Sequence, residues 1–449
     1  MSYGLLLLLI FIILCMSFII FKSDILSPTI IFSLTFLLAT LCAFVGLNDW
    51  NTTSNLNDKT IFIIILGLFI SFIVELFLRF IYGKKTSSIE IKKINISNIK
   101  FLIIFLIVVI SSLLYLKELI EIAPKLGYHG SNIGDILYIY RQSTSLFTTK
   151  YLDSNIKISF LVSQIRKSQD IICMIFSYIL INNIIYFKKI KKYDFNNLFK
   201  VSLIILLCFV FSFLTGGRMK LMSYIIGIIF IIFCLRKKNN LFKINYKILG
   251  KIMKTIIVLL VVFYLSASLI GRKTETNFTS YITFYFGTSI TGLDTYISSL
   301  DNNFELTRGS ETLSGINNIL YKMNITDKTT SLSYYWIKYN VDGNYMFSNI
   351  FTSFRRYYSD FGFFGVFLFQ SIYILIMFTL YKKCLKTNNP MIIIFYSLYF
   401  YTLFDHVRDD IFFRNFVSVN MIINIIYLII FYVFIFKIKS KNKKGEIDI

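Results

Sequence analysis

Histidine, proline and tryptophan are nearly absent from this chain: two, three and two residues in 449. So few histidines argue against a zinc site, whose usual ligands are His and Cys. The six cysteines (Cys15, Cys42, Cys173, Cys208, Cys234 and Cys384) lie in or beside apolar stretches and show no CxxC spacing. Neither a metal cluster nor a disulfide framework is therefore expected. The prolines, Pro28, Pro124 and Pro390, all avoid the middle of an apolar stretch. No repeat relates the two halves either, and both absences speak against a transporter built from inverted repeats with broken helices. Charge is scarce as well: 16% of residues, where a soluble domain carries about 25%.

What is abundant is apolar. Hydrophobic residues make up 56% of the chain, with 48 Phe and 30 Tyr, and the mean hydropathy is +0.68. This is the composition of an all-α, polytopic integral membrane protein. The formal net charge of +23 could suggest nucleic acid. The lysines, however, fall in short loops between apolar runs, as the positive-inside rule expects, so no nucleic-acid partner is expected.

About 20 apolar residues cross a bilayer. Eleven stretches qualify: 4–21, 27–46, 60–82, 99–120, 170–187, 198–215, 218–235, 250–270, 361–381, 391–405 and 411–436, of which 391–405 is short. Residues 4–21 lack a basic n-region before them and a small-residue cleavage site after them, so they read as a retained first span. The segments 83–100, 188–200, 236–249 and 382–390 and the tail from 437 are rich in lysine and poor in acids. The intervening loops are balanced, which places the N-terminus outside and the C-terminus inside. Residues 1–449 then read as one membrane domain with two long outer loops, 121–169 and 271–360. Structureless loops beyond about 15 residues are uncommon and often functional. In the second loop Phe278, Tyr281, Ile282, Tyr285 and Phe286 recur at helical spacing. That segment reads as a helix in the headgroup layer, serving either as an aromatic belt or as a substrate groove.

Within this topology the two kinds of cation separate. Only Arg79 and Arg236 lie on the inner side, and Arg79 forms an i, i+4 pair with Glu75 that reads as structural. Arg141, Arg166, Arg218, Arg272, Arg308, Arg355, Arg356, Arg408 and Arg414 lie outward. Lysine suffices where only charge is needed, whereas arginine's planar fork grips carboxylates and phosphates. An outward-facing site for an anionic substrate is expected.

Three segments carry the candidates. In Thr215-Gly216-Gly217-Arg218, two glycines permit a tight turn and close approach of an anion, and the next helix opens with an anion-friendly dipole end. Arg218 is expected at the lip of the membrane. In Ser348–Gly362, the adjacent Arg355 and Arg356 precede Tyr357, Tyr358 and Asp360. One arginine is expected to bind substrate while the other pairs with Asp360 or faces headgroups; Asp360 could equally act as a base or cap the span. In Asp405-His406-Val407-Arg408-Asp409-Asp410 and Arg414, dense charge between apolar spans must be paired or wet. Arg408 and Arg414 are candidate phosphate ligands, or simply neutralise the aspartates, and His406 reads as structural. Further binding candidates are Arg141 beside Tyr138 and Tyr140, Arg166 near Gln164 and Asp170, and Arg272.

The Thr-Gly-Gly-Arg turn and the Asn349-x-Phe351-Thr352…Arg355-x-Tyr357-Tyr358-x-Asp360-Phe361-Gly362-x-x-Gly365 run resemble the bacterial oligosaccharide repeat-unit polymerases. These are the Wzy-type polymerases of O-antigen and capsule synthesis. The segment Gly287–Tyr296, the length and the large late loop are compatible with the same family. The resemblance implies a GT-C-like fold and a metal-independent glycosyltransferase, without cofactor, at the outer face of a bacterial cytoplasmic membrane. It implies transfer of a glycan from undecaprenyl diphosphate to the non-reducing end of an incoming lipid-linked repeat unit. A chain-length regulator and a flippase are the implied partners, besides the lipid-linked oligosaccharides and the membrane lipids. Under this reading Arg218, Arg355, Arg356 and Asp360 are the catalytic set. Gly216, Gly217, Arg141, Arg166, Arg272, Arg408, Arg414, Tyr357 and Tyr358 contribute binding. A ligase-type glycan transferase and a lipid-linked oligosaccharide flippase are the competing readings; clean spans count against the flippase.

Overall fold

The computed structural model describes residues 2–437 except 23, 48, 51–54, 84–90, 147–156, 216, 240–253, 255–260, 262, 266–276, 301–303, 327–334, 342 and 417. It is mostly helical, 78%. Among the described residues nine helices are long and apolar enough to cross a bilayer, which makes this a multi-pass membrane protein. The expected stretch 391–405 corresponds to the shorter apolar segment Pro390–Asp405. Most of 250–270, together with Gly216 and Arg272, lies outside the described residues.

The chain, read from sequence as one domain, forms two compact units. The first comprises Met1–Thr86, Thr274–Lys386 and Thr402–Ile422; the second comprises Ser87–Lys273, Thr387–Tyr401 and Ile423–Ile449.

In the first unit the helices Ser2–Ile20, Pro28–Gly46 and Asp58–Tyr82 pack together. Ser27 caps the second of these by accepting from the Ile30 N–H, and Pro28 follows at the position where a missing N–H is harmless. Glu75 is fully buried and serves as an internal anchor. It accepts from Ser27 Oγ at 2.7 Å, from the Thr29 N–H at 2.9 Å and from Arg79 Nε at 2.8 Å. Arg79 also reaches Asp24 at 3.1 Å. A buried carboxylate needs such partners, so this pair does structural work.

The aromatic repeat after residue 278 continues as one helix, Phe278–Ser298. It packs along Pro28–Gly46. The contact uses small residues: a methyl group placed at Gly287 would sit 2.5 Å from the Ala43 backbone nitrogen. Small side chains let helix backbones approach closely where lipid supplies no hydrophobic drive. Beyond this helix the 271–360 segment holds a short helix, Ser314–Lys322, and an antiparallel hairpin, β1 (Ile337–Val341) and β2 (Asn344–Ser348), with Ile337 opposite Ser348. The hairpin is a small two-stranded addition to a fold that is otherwise all-α, as expected. Its signal was present: Asp342-Gly343 between β-forming aromatic and branched residues is a hairpin turn sequence. Gly343 turns with φ +79°.

The long helix Ser353–Lys386 begins well before the span expected from 361. It is broken at Phe361 and Gly362, where Gly362 has φ +61° and ψ −146°, a conformation nearly closed to side-chain-bearing residues. The N-terminal part carries Arg355, Arg356 and Asp360; the remainder packs on Asp58–Tyr82. The stretch 411–436 is likewise not one helix but Phe412–Phe416 followed by Val419–Tyr432. Phe412 and Phe413 are buried against Tyr373, Tyr357 and Phe369.

The second unit contains Asn98–Ile122, Ile133–Leu146, Phe160–Ile190, Phe195–Ser212, Arg218–Lys238 and Pro390–Tyr399. The described part of 121–169 is largely helical, and Ala123, Ile136, Leu137 and Val162 pack with Tyr115 and Leu119 of the preceding helix in one apolar cluster. Because Phe160–Ile190 starts ten residues earlier than the expected span, Arg166 and Asp170 lie inside a helix instead of opening one. Asp170 is met by Lys220 and by Tyr224 at 2.6 Å and Gln169 by Ser111 and Ser112, whereas the buried Arg166 Nε has no hydrogen-bond partner among the described residues.

Candidate active site

The first unit gathers Arg355, Arg356, Asp360, Arg408 and Arg414, and adds one residue that the sequence did not single out, Glu311. Arg355 and Arg356 are successive residues of one helix, yet both guanidinium groups meet the same carboxylate oxygen. Arg355 Nη2 lies 3.1 Å from Glu311 Oε2, and Arg356 Nη1 bonds that oxygen too. All three side chains are buried. Arg356 is gripped a second time by Asp409, Nε to Oδ1 at 2.6 Å and Nη2 to Oδ2 at 3.0 Å, a two-pronged fork of the kind arginine alone provides. Arg414 joins the same aspartate at 2.8 Å, and Arg408 pairs with Asp405 at 3.0 Å.

Asp360 pairs with neither arginine, correcting that expectation. Its carboxylate accepts from Thr307 Oγ1 at 2.5 Å and from the backbone N–H groups of Glu311 at 3.2 Å and Thr312 at 2.6 Å. The backbone adds Thr307 N–H to Ser359 O and Arg308 N–H to Asp360 O. Asp360 therefore pins the 307–312 turn, and that turn delivers Glu311 to the arginines. Arg308 and Gly309 both have positive φ, 48° and 91°, which bends the turn sharply enough for the carboxylate to hold it.

Arg355 differs from its neighbour. It is 2% exposed, and its Nε and Nη1 have no hydrogen-bond partner among the described residues. Three rings surround it: Tyr296 at 5.5 Å, Tyr335 at 5.3 Å and Phe351 at 5.2 Å from the guanidinium carbon. Rings attract a cation but do not replace hydrogen bonds, and each unmet buried donor costs about 1–3 kcal/mol. Tyr335 is 43% exposed, so this aromatic wall reaches the surface. Arg356, in contrast, has carboxylates on its Nε, Nη1 and Nη2.

The remaining groups support the cluster. His406 is buried, with Nε2 2.9 Å from Gln370 Oε1 and its ring stacked on Tyr373 at 4.4 Å. Burial pushes its pKa down to about 3, so it is neutral and structural. Burial raises the Asp410 carboxyl to about 7, against the opposing Phe413 N–H. Its Oδ1 accepts from Phe413 at 3.0 Å and from Tyr357 at 3.4 Å, while Oδ2 has no partner among the described residues. Asp409 goes the other way: burial would raise it, but Arg356 and Arg414 outweigh burial and hold it below the usual carboxylate range. Tyr357 thus bonds Asp410, whereas half-buried Tyr358 packs its ring on Phe363.

The second unit holds Arg218, Arg166 and Arg141. Arg218 opens its helix with Gly217 extended before it, φ −118°. Its side chain is buried; Nη1 donates to the Phe263 carbonyl at 3.0 Å, and the guanidinium carbon lies 4.1 Å from that residue's ring centre. A methyl group at Gly217 would meet nothing closer than Thr215 Oγ1 at 3.6 Å, so crowding does not require that glycine. Arg166 lies over Tyr115 at 4.5 Å, and Arg141 is exposed on the Ile133–Leu146 helix.

Among the described residues no group of three or more His, Cys, Asp or Glu side chains could hold a metal ion. Comparison with protein-family models, characterised proteins and solved structures finds no match to this chain.

Proposed function

We propose that the chain polymerises lipid-linked oligosaccharide repeat units at the outer face of a bacterial cytoplasmic membrane, with its N-terminus outside and C-terminus inside. The observation that carries the reading is Arg355: a buried cation with two unmet donors beside an aromatic wall that reaches the surface. Preorganised donors in a water-poor site stabilise developing negative charge far better than solvent does. A departing lipid diphosphate develops such charge. In the reaction the bond from the anomeric carbon to the diphosphate oxygen breaks and a bond to an acceptor sugar hydroxyl forms. The electron pair leaves with the diphosphate, and the acceptor proton passes to a base.

The roles divide accordingly. Arg355 faces the leaving diphosphate through Nε and Nη1. Glu311, whose Oε2 both arginines hold, orients the acceptor hydroxyl and takes its proton. Arg356 and Asp360 are positioning residues: one is locked by Asp409, the other fixes the turn that bears Glu311. Arg218 serves the membrane-embedded frame of the second unit.

The test is genetic. The gene is deleted and complemented with Arg355→Ala, Arg355→Lys or Arg218→Ala, and surface glycan is displayed on a gel. Single repeat units attached to their carrier with Arg355→Ala, partial chain length with Arg355→Lys and long chains with Arg218→Ala are expected. Long unattached chains in the Arg355→Ala strain would instead make the enzyme a ligase, and loss of all surface glycan would make it a flippase. Normal chain length with Arg355→Ala overturns the site.

A further inference from the structure

The first unit has an open, polar pocket of about 280 Å³ beside the arginine network. One wall is the polar stripe of the Ser314–Lys322 helix, where Ser314, Asn318 and Lys322 follow at four-residue spacing and so share a face. The other wall is Arg414 with Ser418 and Asn420. Among the described residues two cations line this pocket and no carboxylate does. Arg414 is held through one nitrogen by Asp409 at 2.8 Å, and a guanidinium carries five N–H donors, so most of its fork is left for a ligand. Lys322 is exposed at the end of its helix.

We infer that this pocket binds an anionic sugar residue, one that carries a carboxylate. The anion answers to the two cations. The carboxamide of Asn318 carries both donors and an acceptor, and the hydroxyl of Ser314 likewise both donates and accepts. A bare phosphate presents acceptors to these groups and leaves their own acceptors unmatched; a sugar acid supplies hydroxyl donors as well. The volume sits at the small end of ligand pockets, a fit for a sugar ring and not for a lipid chain. Asp409 links the pocket to the site, because it holds Arg414 on one side and Arg356 on the other. A sugar acid that engages Arg414 thereby shares that cation with the carboxylate that locks Arg356.

The inference stands whether or not the chain transfers glycans, because the experiment reads binding alone. Saturation-transfer NMR on the full-length protein in nanodiscs uses D-glucuronate, D-glucose and inorganic phosphate as probes. Glucuronate is expected to bind, glucose to bind at least fivefold more weakly, and phosphate to compete poorly. Lys322→Gln, at an exposed position that leaves the fold intact, is expected to weaken glucuronate by about tenfold, the equivalent of one charge-assisted hydrogen bond. Asn318→Ala is expected to weaken glucuronate and glucose alike. Equal binding of glucose and glucuronate, full competition by phosphate at equal concentration, or no effect of Lys322→Gln would each overturn it.

Discussion

Glu311→Gln isolates the charge that holds the arginine pair together. The substitution keeps the side chain's shape and removes its negative charge. Arg356 retains the Asp409 fork at 2.6 and 3.0 Å. Arg355 retains its three rings and, at most, a neutral amide acceptor, because Glu311 is its one ionic contact among the described residues, at 3.1 Å, and its Nε and Nη1 are already unmet there. Removing one partner of a buried pair strands the other charge and costs about 3–5 kcal/mol. That is a large share of the roughly 5–15 kcal/mol that holds a domain folded. The converse change is milder. Arg355→Gln leaves Glu311 with Arg356 and removes two unmet donors, so it should cost less than Glu311→Gln. The double variant should recover much of the loss, since neither charge is then stranded. Both tryptophans, Trp50 and Trp336, belong to this unit. Trp50 is buried against Phe284 and Tyr339. Intrinsic fluorescence during heat or denaturant unfolding in nanodiscs therefore reports on the unit that contains the site. A Glu311→Gln midpoint within about 1 °C of the parent, well under 1 kcal/mol, would refute the argument. So would an Arg355→Gln loss as large as that of Glu311→Gln.

Two further outcomes follow from the same geometry. Asp410, raised to about 7 in the fold from about 3.9 when unfolded, binds its proton more tightly folded than unfolded. Its contribution is therefore fully present below about pH 4 and lost as pH rises toward 7. Fluorescence-detected melting should fall between about pH 4 and 7 in the parent and much less in Asp410→Asn; equal slopes would refute it. Gly287→Ala puts a methyl group 2.5 Å from the Ala43 nitrogen, backbone that cannot rotate aside. It should lower stability by about 1–3 kcal/mol, read by the same unfolding curve, and a neutral result would show that the two helices separate freely.

Much of the frame was legible because bilayer crossing is a local demand. Apolar runs of sufficient length, such as 60–82 or 99–120, appear in sequence as they appear in structure, since each helix meets its own backbone hydrogen bonds. The pairing of Glu75 with Arg79 was legible for the same reason: four residues apart on a helix is next door. The Asp-Gly hairpin turn at 342–343 carries a local signal too. Partners distant in sequence were not legible. Glu311 looked like one acid in a long loop, and nothing within forty residues marked it as the counter-ion of Arg355.

The sequence by itself determined a helical membrane protein, a cluster of arginines, and the Ser348–Gly365 segment as the place to look. Tertiary structure decided which arginine is available. It buried Arg218 against Phe263, locked Arg356 between two carboxylates, and left Arg355 with two unmet donors in an aromatic wall. It also moved Asp360 from arginine partner to anchor of the Glu311 turn. The physical reason is burial: composition fixes which charges exist, but the energy of each depends on its distance from counter-charges and from water, and only the fold sets both.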